Sequence, residues 1–235
     1  MSEKTRGRLF IITIGAILAC VAMTAAAGIT YTYDQRTLRY TIGAEALLIT
    51  YLAGYWFFWR RGESKAGSEI QRTGLATGLG LGLLWTAEIC YNNIIAAPLP
   101  GRDTVDNIFW ALVGLGLLVL AGWTAYRGNM MNAGVRAGLW AGFGSGLVAC
   151  SVALAMVVFG MGFIAHDPLN VEEWSALAGS NGAPSMAAYF AFETIAGAMI
   201  HLVILGSFMG WLAGLVGGAI GQGVRILFPN RSVQS

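Results

Sequence analysis

Charged residues are scarce in this chain. Asp, Glu, Lys and Arg together make up 11% of its 235 residues, whereas apolar residues make up 56%. Soluble globular domains carry about 25% charged residues, so this composition lies outside their range. Because the mean hydropathy is +0.64 and the apolar runs reach about 20 residues, the sequence indicates an integral membrane protein.

Residues that bind metals or carry out redox chemistry are also few. The chain has two histidines and three cysteines, and the cysteines lie apart in separate apolar stretches, without the spacing of metal ligands. The sequence contains no phosphate-binding loop and no cluster of His, Asp and Glu at helical spacing. The basic residues form no stripe of the kind that binds nucleic acid. We therefore expect no enzymatic activity, no metal or cofactor, and no nucleic-acid partner.

Six apolar stretches are long enough to cross a bilayer as helices. The sequence thus predicts an all-α, polytopic membrane helix bundle with six transmembrane helices in a single integral membrane domain. The spans cover residues 9–29, 40–59, 73–97, 104–126, 137–164 and 187–217. We expect residues 165–186 to form an outer interfacial loop that includes a short helix starting at Asp167-Pro168. The last apolar run continues to Phe228, which indicates a long or tilted helix leading into a cytoplasmic tail, residues 218–235.

The distribution of basic residues predicts the orientation of the bundle. Of the 14 Lys and Arg residues, only Arg36, Arg39 and Arg102 fall in the loops on one side of the six predicted spans. Cytoplasmic loops carry the excess of Lys and Arg, so the other side is predicted to be cytoplasmic. This places both termini in the cytoplasm of a multi-pass protein of the cell membrane, with the lipid bilayer as its surroundings.

An internal repeat links the third span to the fifth. Seven residues recur at a constant offset of 64 positions, in the segments 72–83 and 136–147. The similarity extends into the preceding spans, so spans 2–3 and spans 4–5 are predicted to be a duplicated hairpin. Both copies begin outside and turn in the cytoplasm, which makes the repeat a parallel one.

Glycines in these spans follow a spacing of four residues. The repeat contributes Gly74 and Gly78 in one copy and Gly138 and Gly142 in the other, and a third strip runs through the last span from Gly206 to Gly218. Residues four apart share a helix face, so each strip allows another helix to approach closely. The strips predict a tightly packed bundle, and they also suit association with a second copy or with another membrane protein.

Three glutamates lie inside the apolar stretches, where an ionised carboxylate is costly and usually functional. Glu45 lies near the outer boundary, where it can snorkel towards water or pair with Arg39. Glu88 has Asn92 one helical turn further on the same face. Glu193 lies at a similar outer depth in the last span. We expect Glu88 and Asn92, joined by Glu193, to form an intramembrane polar site.

His201 follows Glu193 by two helical turns and is the fourth candidate for this site. An imidazole and a carboxylate titrate over different pH ranges, so such a pair is suited to a proton or cation path. A histidine that is hydrogen-bonded within the bundle is the commoner situation. The sequence therefore leaves two functions open, a small transporter or channel for a cation, proton or polar solute, and a non-catalytic subunit or scaffold of a membrane complex.

Overall fold

The described part of the chain is helical, with no strand among its residues. A computed structural model describes residues 3–61, 65–95, 101–177 and 182–228. Residues 96–97 of the predicted third span and residues 229–235 of the predicted tail lie outside these ranges. The helices are α1 (Glu3–Tyr31), α2 (Gln35–Arg61), α3 (Lys65–Cys90), α4 (Arg102–Gly128), α5 (Met131–Phe159), α6 (Met161–His166), α7 (Pro168–Leu177), α8 (Met186–Ile200) and α9 (Met209–Leu227).

Two π-helical segments interrupt the α-helical geometry. The first π segment, Tyr91–Ile95, continues α3, and the second π segment, His201–Phe208, joins α8 to α9. The run from Met186 to Leu227 is therefore one continuous helix of 42 residues, about 60 Å long at 1.5 Å per residue. That is about twice the thickness of the hydrocarbon core, so the helix must tilt or extend beyond it.

Five helical segments are long and apolar enough to cross a membrane. They are α1, α2, α4, α5 and the continuous run Met186–Leu227. Glycines, threonines and Glu88 lower the mean hydropathy of α3, which is not among the five. The prediction of a helical protein with long apolar segments is confirmed, whereas the number of six spans remains a prediction.

The centre of the bundle is α5, which packs against α3 on one face and against the second π segment and α9 on another. Gly138 of α5 faces the backbone of Gly210 and Gly214, and a Cβ atom added at Gly138 would lie 2.5 Å from the Gly210 carbonyl oxygen. On α3, an added Cβ at Gly74 would lie 2.8 Å from the Ala137 carbonyl oxygen. The predicted glycine strips therefore bring backbones into direct contact within the chain.

The end of α9 packs against α4, although the sequence predicts a tail from residue 218 onward. Gly218 and Gly221 are buried, and the Arg225 guanidinium donates hydrogen bonds to the carbonyl oxygens of Tyr126 and Arg127. These carbonyls belong to the last turn of α4, whose C-terminal groups have no partner within the helix. Helix capping by Arg225 thus explains why residues 218–227 continue as a packed helix.

Short hydrogen-bonded caps define the turns between the helices. The Asp167 carboxylate accepts a hydrogen bond from the Leu169 backbone N–H at the start of α7, which confirms the predicted helix start at Asp167-Pro168. Ser185 accepts one from the Ala188 N–H at the start of α8. Gly160 separates α5 from α6, so the predicted fifth span is divided into one long and one short helix.

Candidate functional site

A buried polar cluster lies where α3 continues into the first π segment. The Asn92 side-chain amide donates hydrogen bonds to Glu88 Oε1 and to Asp106 Oδ1, each at 2.8 Å. Glu88 is 8% exposed and Asn92 is 7% exposed, while Asp106 of α4 is half-buried. We call these three residues the carboxylate cluster. The structure therefore confirms the contact between Glu88 and Asn92 and adds a carboxylate from the neighbouring helix.

The local helix geometry positions Asn92 for both hydrogen bonds. Asn92 follows Glu88 by four residues, which places the two side chains on one helix face. The π segment begins at Tyr91, and single π turns within α-helices are frequent at functional sites. The neighbouring Asn93 donates instead to the carbonyl oxygen of Ile89 in its own helix. Of the two asparagines, Asn92 joins α3 to α4.

The carboxylate cluster brings two acidic side chains close together. Both N–H groups of the Asn92 amide are used, one for each carboxylate, so the two carboxylates lie within reach of a single nitrogen atom. Asn92 Oδ1 is buried without a hydrogen-bond partner among the described residues. The cluster thus offers carboxylate and amide oxygens, the ligands that hard cations prefer.

His201 lies deeper in the bundle, beside the helix that carries Glu88. Its ring packs edge-to-face on the Trp85 indole, with 5.3 Å between the ring centroids. The Nδ1 atom is 2.8 Å from the Gly197 carbonyl oxygen, one turn earlier in its own helix. Trp85 is fully buried and precedes Glu88 by one turn of α3. No hydrogen bond joins His201 to the carboxylate cluster among the residues that the structure describes.

Glu193 lies elsewhere, on an exposed face of α8. Its neighbour Phe192 packs edge-to-face on Tyr33 in the turn between α1 and α2. Burial raises the pKa of the Tyr33 phenol, and the charge of Asp34 and then that of Glu193 add to the increase. Within the described ranges, Glu193 makes no hydrogen bond to the carboxylate cluster. The expected association of Glu88 with Glu193 is therefore absent from the described contacts.

Glu45 is half-buried on α2, and its Oε1 atom is buried without a hydrogen-bond partner among the described residues. Its predicted partner Arg39 forms no ion pair with it in the described part of the chain. Asp106, which joins the carboxylate cluster from α4, is not among the site residues predicted from the sequence. Its position in the first turns of the fourth span was the available indication, because a short connection places that turn beside the end of the third span.

Among the described residues, the cysteines and the acidic side chains form no cluster for a metal ion. No group of three or more His, Cys, Asp or Glu residues with suitable geometry occurs within the described ranges. Cys20 Sγ lies 3.2 Å from Ser151 Oγ, where α1 meets α5. This contact is a partly buried hydrogen bond between two small side chains.

Comparison with known proteins finds no relative from which a function could be transferred. No family model, no curated protein and no solved structure matches this chain.

Proposed function

We propose that the protein is a non-enzymatic, multi-pass protein of the cell membrane, with α3 counted as a sixth span and both termini in the cytoplasm. Five segments long and apolar enough to cross a membrane support the location. Large apolar side chains such as Ile29 (88% exposed) and Phe159 (81% exposed) face outwards, where lipid would cover them. The concentration of basic residues at one end supports the orientation.

Within this membrane protein, the carboxylate cluster supports transport of a cation or a proton, or of a small polar solute coupled to one of them. The observation that carries the proposal is the pair of carboxylates, Glu88 and Asp106, bridged by one buried amide. Intramembrane carboxylates mark ion pathways and proton relays because an unneutralised charge is costly there. Glu88 and Asp106 are proposed to bind the transported charge, with Asn92 holding them in place.

The parallel repeat of spans 2–3 and 4–5 remains part of the proposal. The repeat-related glycines Gly74 and Gly138 each lie against the backbone of a neighbouring helix, Gly74 of α3 against α5 and Gly138 of α5 against α9. Many transporters are built from such repeats, with the binding site near the interface between them. The carboxylate cluster joins α3 to α4, which belong to the two different copies.

The second candidate function is a non-catalytic subunit or scaffold that associates with a second copy or with another membrane protein. The glycine strips that suggested it are occupied by packing within the chain, as at Gly142 against Gly210 and Gly146 against Gly206. Packing within the bundle is therefore sufficient to explain the glycine strips, and no partner protein is needed to explain them. The geometry favours the transport function over this alternative.

Reconstitution into liposomes tests the transport proposal. Wild-type protein is compared with the variants Glu88→Gln and Asp106→Asn under imposed pH, Na⁺ and K⁺ gradients. Because each variant removes a charge that holds charge-assisted hydrogen bonds, we expect flux to fall about tenfold or more. Glu172→Gln on the exposed face of α7 is the matched control, and it should retain wild-type flux. Wild-type flux equal to that of protein-free liposomes in every gradient would remove the transport function.

A further inference from the structure

A cavity of about 470 Å³ lies at the opposite end of the bundle from the carboxylate cluster, between α2, α5 and the second π segment. Its walls are mainly apolar and include the aromatic side chains of Tyr55, Phe58, Trp140 and Phe143. The volume is within the ~300–1,000 Å³ of sites that bind small organic molecules. Tyr55 and Phe143 stack at 5.7 Å between ring centroids, so the wall is built from side chains that support one another.

The cavity opens on the side of the bundle that would face lipid. Phe58 of α2 is 58% exposed and Leu139 of α5 is 41% exposed, and both line it. They belong to helices that are long and apolar enough to cross a membrane. An occupant would therefore enter from the bilayer, which means that its main body must be apolar.

Two polar side chains at one end of the cavity, Arg136 and Gln71, keep polar atoms without a hydrogen-bond partner among the described residues. Arg136 forms no hydrogen bond or ion pair with any residue in the described ranges, and no acidic residue lines the cavity. Gln71 is 3% exposed, and its amide nitrogen donates to the Phe58 carbonyl oxygen at 2.9 Å. This bond fixes the orientation of the amide, and Gln71 Oε1 remains buried without a hydrogen-bond partner among the described residues.

The Arg136 guanidinium and Gln71 Oε1 define the chemistry of a ligand that fits the cavity. The Arg136 guanidinium matches an anionic phosphate, with which arginine forms paired hydrogen bonds. Gln71 Oε1 can only accept a hydrogen bond, so the partner must also carry a donor such as a hydroxyl group. Basic pockets between membrane helices on the cytoplasmic side bind anionic lipid headgroups, and the predicted orientation places Arg136 on that side.

We propose that this cavity binds one anionic phospholipid with a hydroxyl-bearing headgroup, such as a phosphatidylglycerol. Its phosphate contacts Arg136, its headgroup hydroxyl donates to Gln71 Oε1, and an acyl chain lies along the aromatic wall. The site rests on the proposed membrane location. It does not depend on the proposed transport function.

Native mass spectrometry of the full chain in detergent tests the site. The purified protein is incubated separately with dioleoylphosphatidylglycerol, dioleoylphosphatidylcholine and oleic acid. We expect one phosphatidylglycerol molecule per chain and clearly weaker binding of the other two. Equal retention of phosphatidylcholine would overturn the assignment to Arg136, and equal retention of oleic acid would assign the cavity to a carboxylate and overturn the phospholipid.

Two variants with matched controls test the position of the lipid. Arg136→Gln should lower phosphatidylglycerol binding about fivefold, whereas Arg60→Gln, on an exposed α2 residue that does not line the cavity, should not. Gly54→Leu places a side chain into the cavity at a position where an added Cβ meets nothing within 4 Å, so we expect the bound lipid to be lost. Gly43→Leu, on the same helix with the same free space but outside the cavity, should retain it.

Lipid binding and transport can fail independently in these experiments. Glu88→Gln should keep full lipid occupancy, because Glu88 lies far from the cavity along α3. A folded Gly54→Leu protein that still retains one phosphatidylglycerol molecule would overturn the proposed site, whatever the flux experiments show. Absence of flux in a protein that binds lipid as expected would remove only the transport function.

Discussion

The helices α5 and α2 are similar in length, with 29 and 27 residues, yet they differ in their surroundings. In the most apolar stretch of α5, 61% of the residues are buried, against 22% in α2. Both helices carry glycines. On α5, Gly138 faces the backbone of α9, whereas an added Cβ at Gly43 or Gly54 of α2 would meet nothing within 4 Å.

This difference shows that glycine has two structural consequences in one bundle. At the centre it allows backbones to touch, and the resulting contacts leave no room for a ligand. At the edge, α2 is held by aromatic side chains, by a hydrogen bond from Tyr51 to Ser207 and by a cap at Asp34. The looser packing of α2 leaves the cavity open beside Gly54. The proposed lipid site thus follows from the contrast between the two helices.

The strongest test of the contrast is Gly138→Ala. The added methyl group would lie 2.5 Å from the Gly210 carbonyl oxygen and 2.7 Å from Gly214 Cα, so α9 must move away from α5. Overpacking against backbone atoms costs about 3 kcal/mol. We expect a clear fall in the melting temperature of the detergent-solubilised protein, measured by size-exclusion chromatography after heating.

Gly43→Ala on α2 is the matched control for this substitution. It adds the same methyl group into open space and should leave the melting temperature unchanged or slightly raised, because alanine favours helix by up to about 1 kcal/mol over glycine. Equal destabilisation by both substitutions would contradict the distinction between a tightly packed centre and a loosely packed edge.

Much of this packing could be predicted from sequence. Glycines spaced by four predict close helix contact, and the apolar runs predict long helices. Which helix each strip contacts could not be predicted, because several neighbours would satisfy the same spacing. Similarly, the sequence alone places Arg225 in a tail. Its capping role cannot be predicted, because the carbonyl groups that it contacts at the end of α4 are distant in sequence.

The candidate site could likewise be predicted only in part from the sequence. Glu88 and Asn92 are four residues apart on one helix, so their contact follows from helix geometry alone. The contribution of Asp106 depends on how α4 packs beside α3. Glu193, which the sequence places at a depth similar to that of Glu88, is exposed and makes no described hydrogen bond to it. The burial of the Gln71 amide could not be predicted from the sequence either, because Gln71 lies among charged residues at the start of α3. Contacts between two residues of one helix can therefore be predicted from their spacing, whereas a site built from several helices depends on how those helices pack.

The hydrogen bonds of Asn92 connect α3 to α4. Asn92→Leu removes both hydrogen bonds that the Asn92 amide donates to the carboxylates of Glu88 and Asp106. Loss of a buried partner costs about 2 kcal/mol, so we expect a lower melting temperature than that of Asn93→Leu, whose amide bonds only to its own helix. The same result for both variants would show that the cluster does not hold the two helices together.

A smaller effect on stability is expected at the hydrogen bond that joins α2 to the second π segment. The Tyr51 hydroxyl donates to Ser207 Oγ at 3.0 Å, and Ser207 Oγ in turn donates to the Leu202 carbonyl oxygen. Hydrogen bonds between membrane helices contribute about 0.6 kcal/mol, so Tyr51→Phe and Ser207→Ala should each destabilise the protein by about that amount. The double variant should cost no more than either single variant. Additive losses would indicate that the two hydroxyl groups act independently.

The smallest effect is expected at the cap of α2, and it depends on pH. The Asp34 carboxylate accepts hydrogen bonds from the backbone N–H and the hydroxyl group of Thr37, which lower the pKa of Asp34. The contribution of the charge to stability is therefore present above the unfolded pKa of about 3.9 and is lost as the pH falls through the folded pKa.

Asp34→Asn keeps a capping side chain but removes the charge. It should lower the melting temperature slightly at pH 7, and the difference from wild type should shrink below about pH 4. The control Glu172→Gln removes an exposed carboxylate of α7 and should follow the wild-type profile. A difference between wild type and Asp34→Asn that persists unchanged at low pH would mean that the edge of the bundle depends on the shape of this cap and not on its charge.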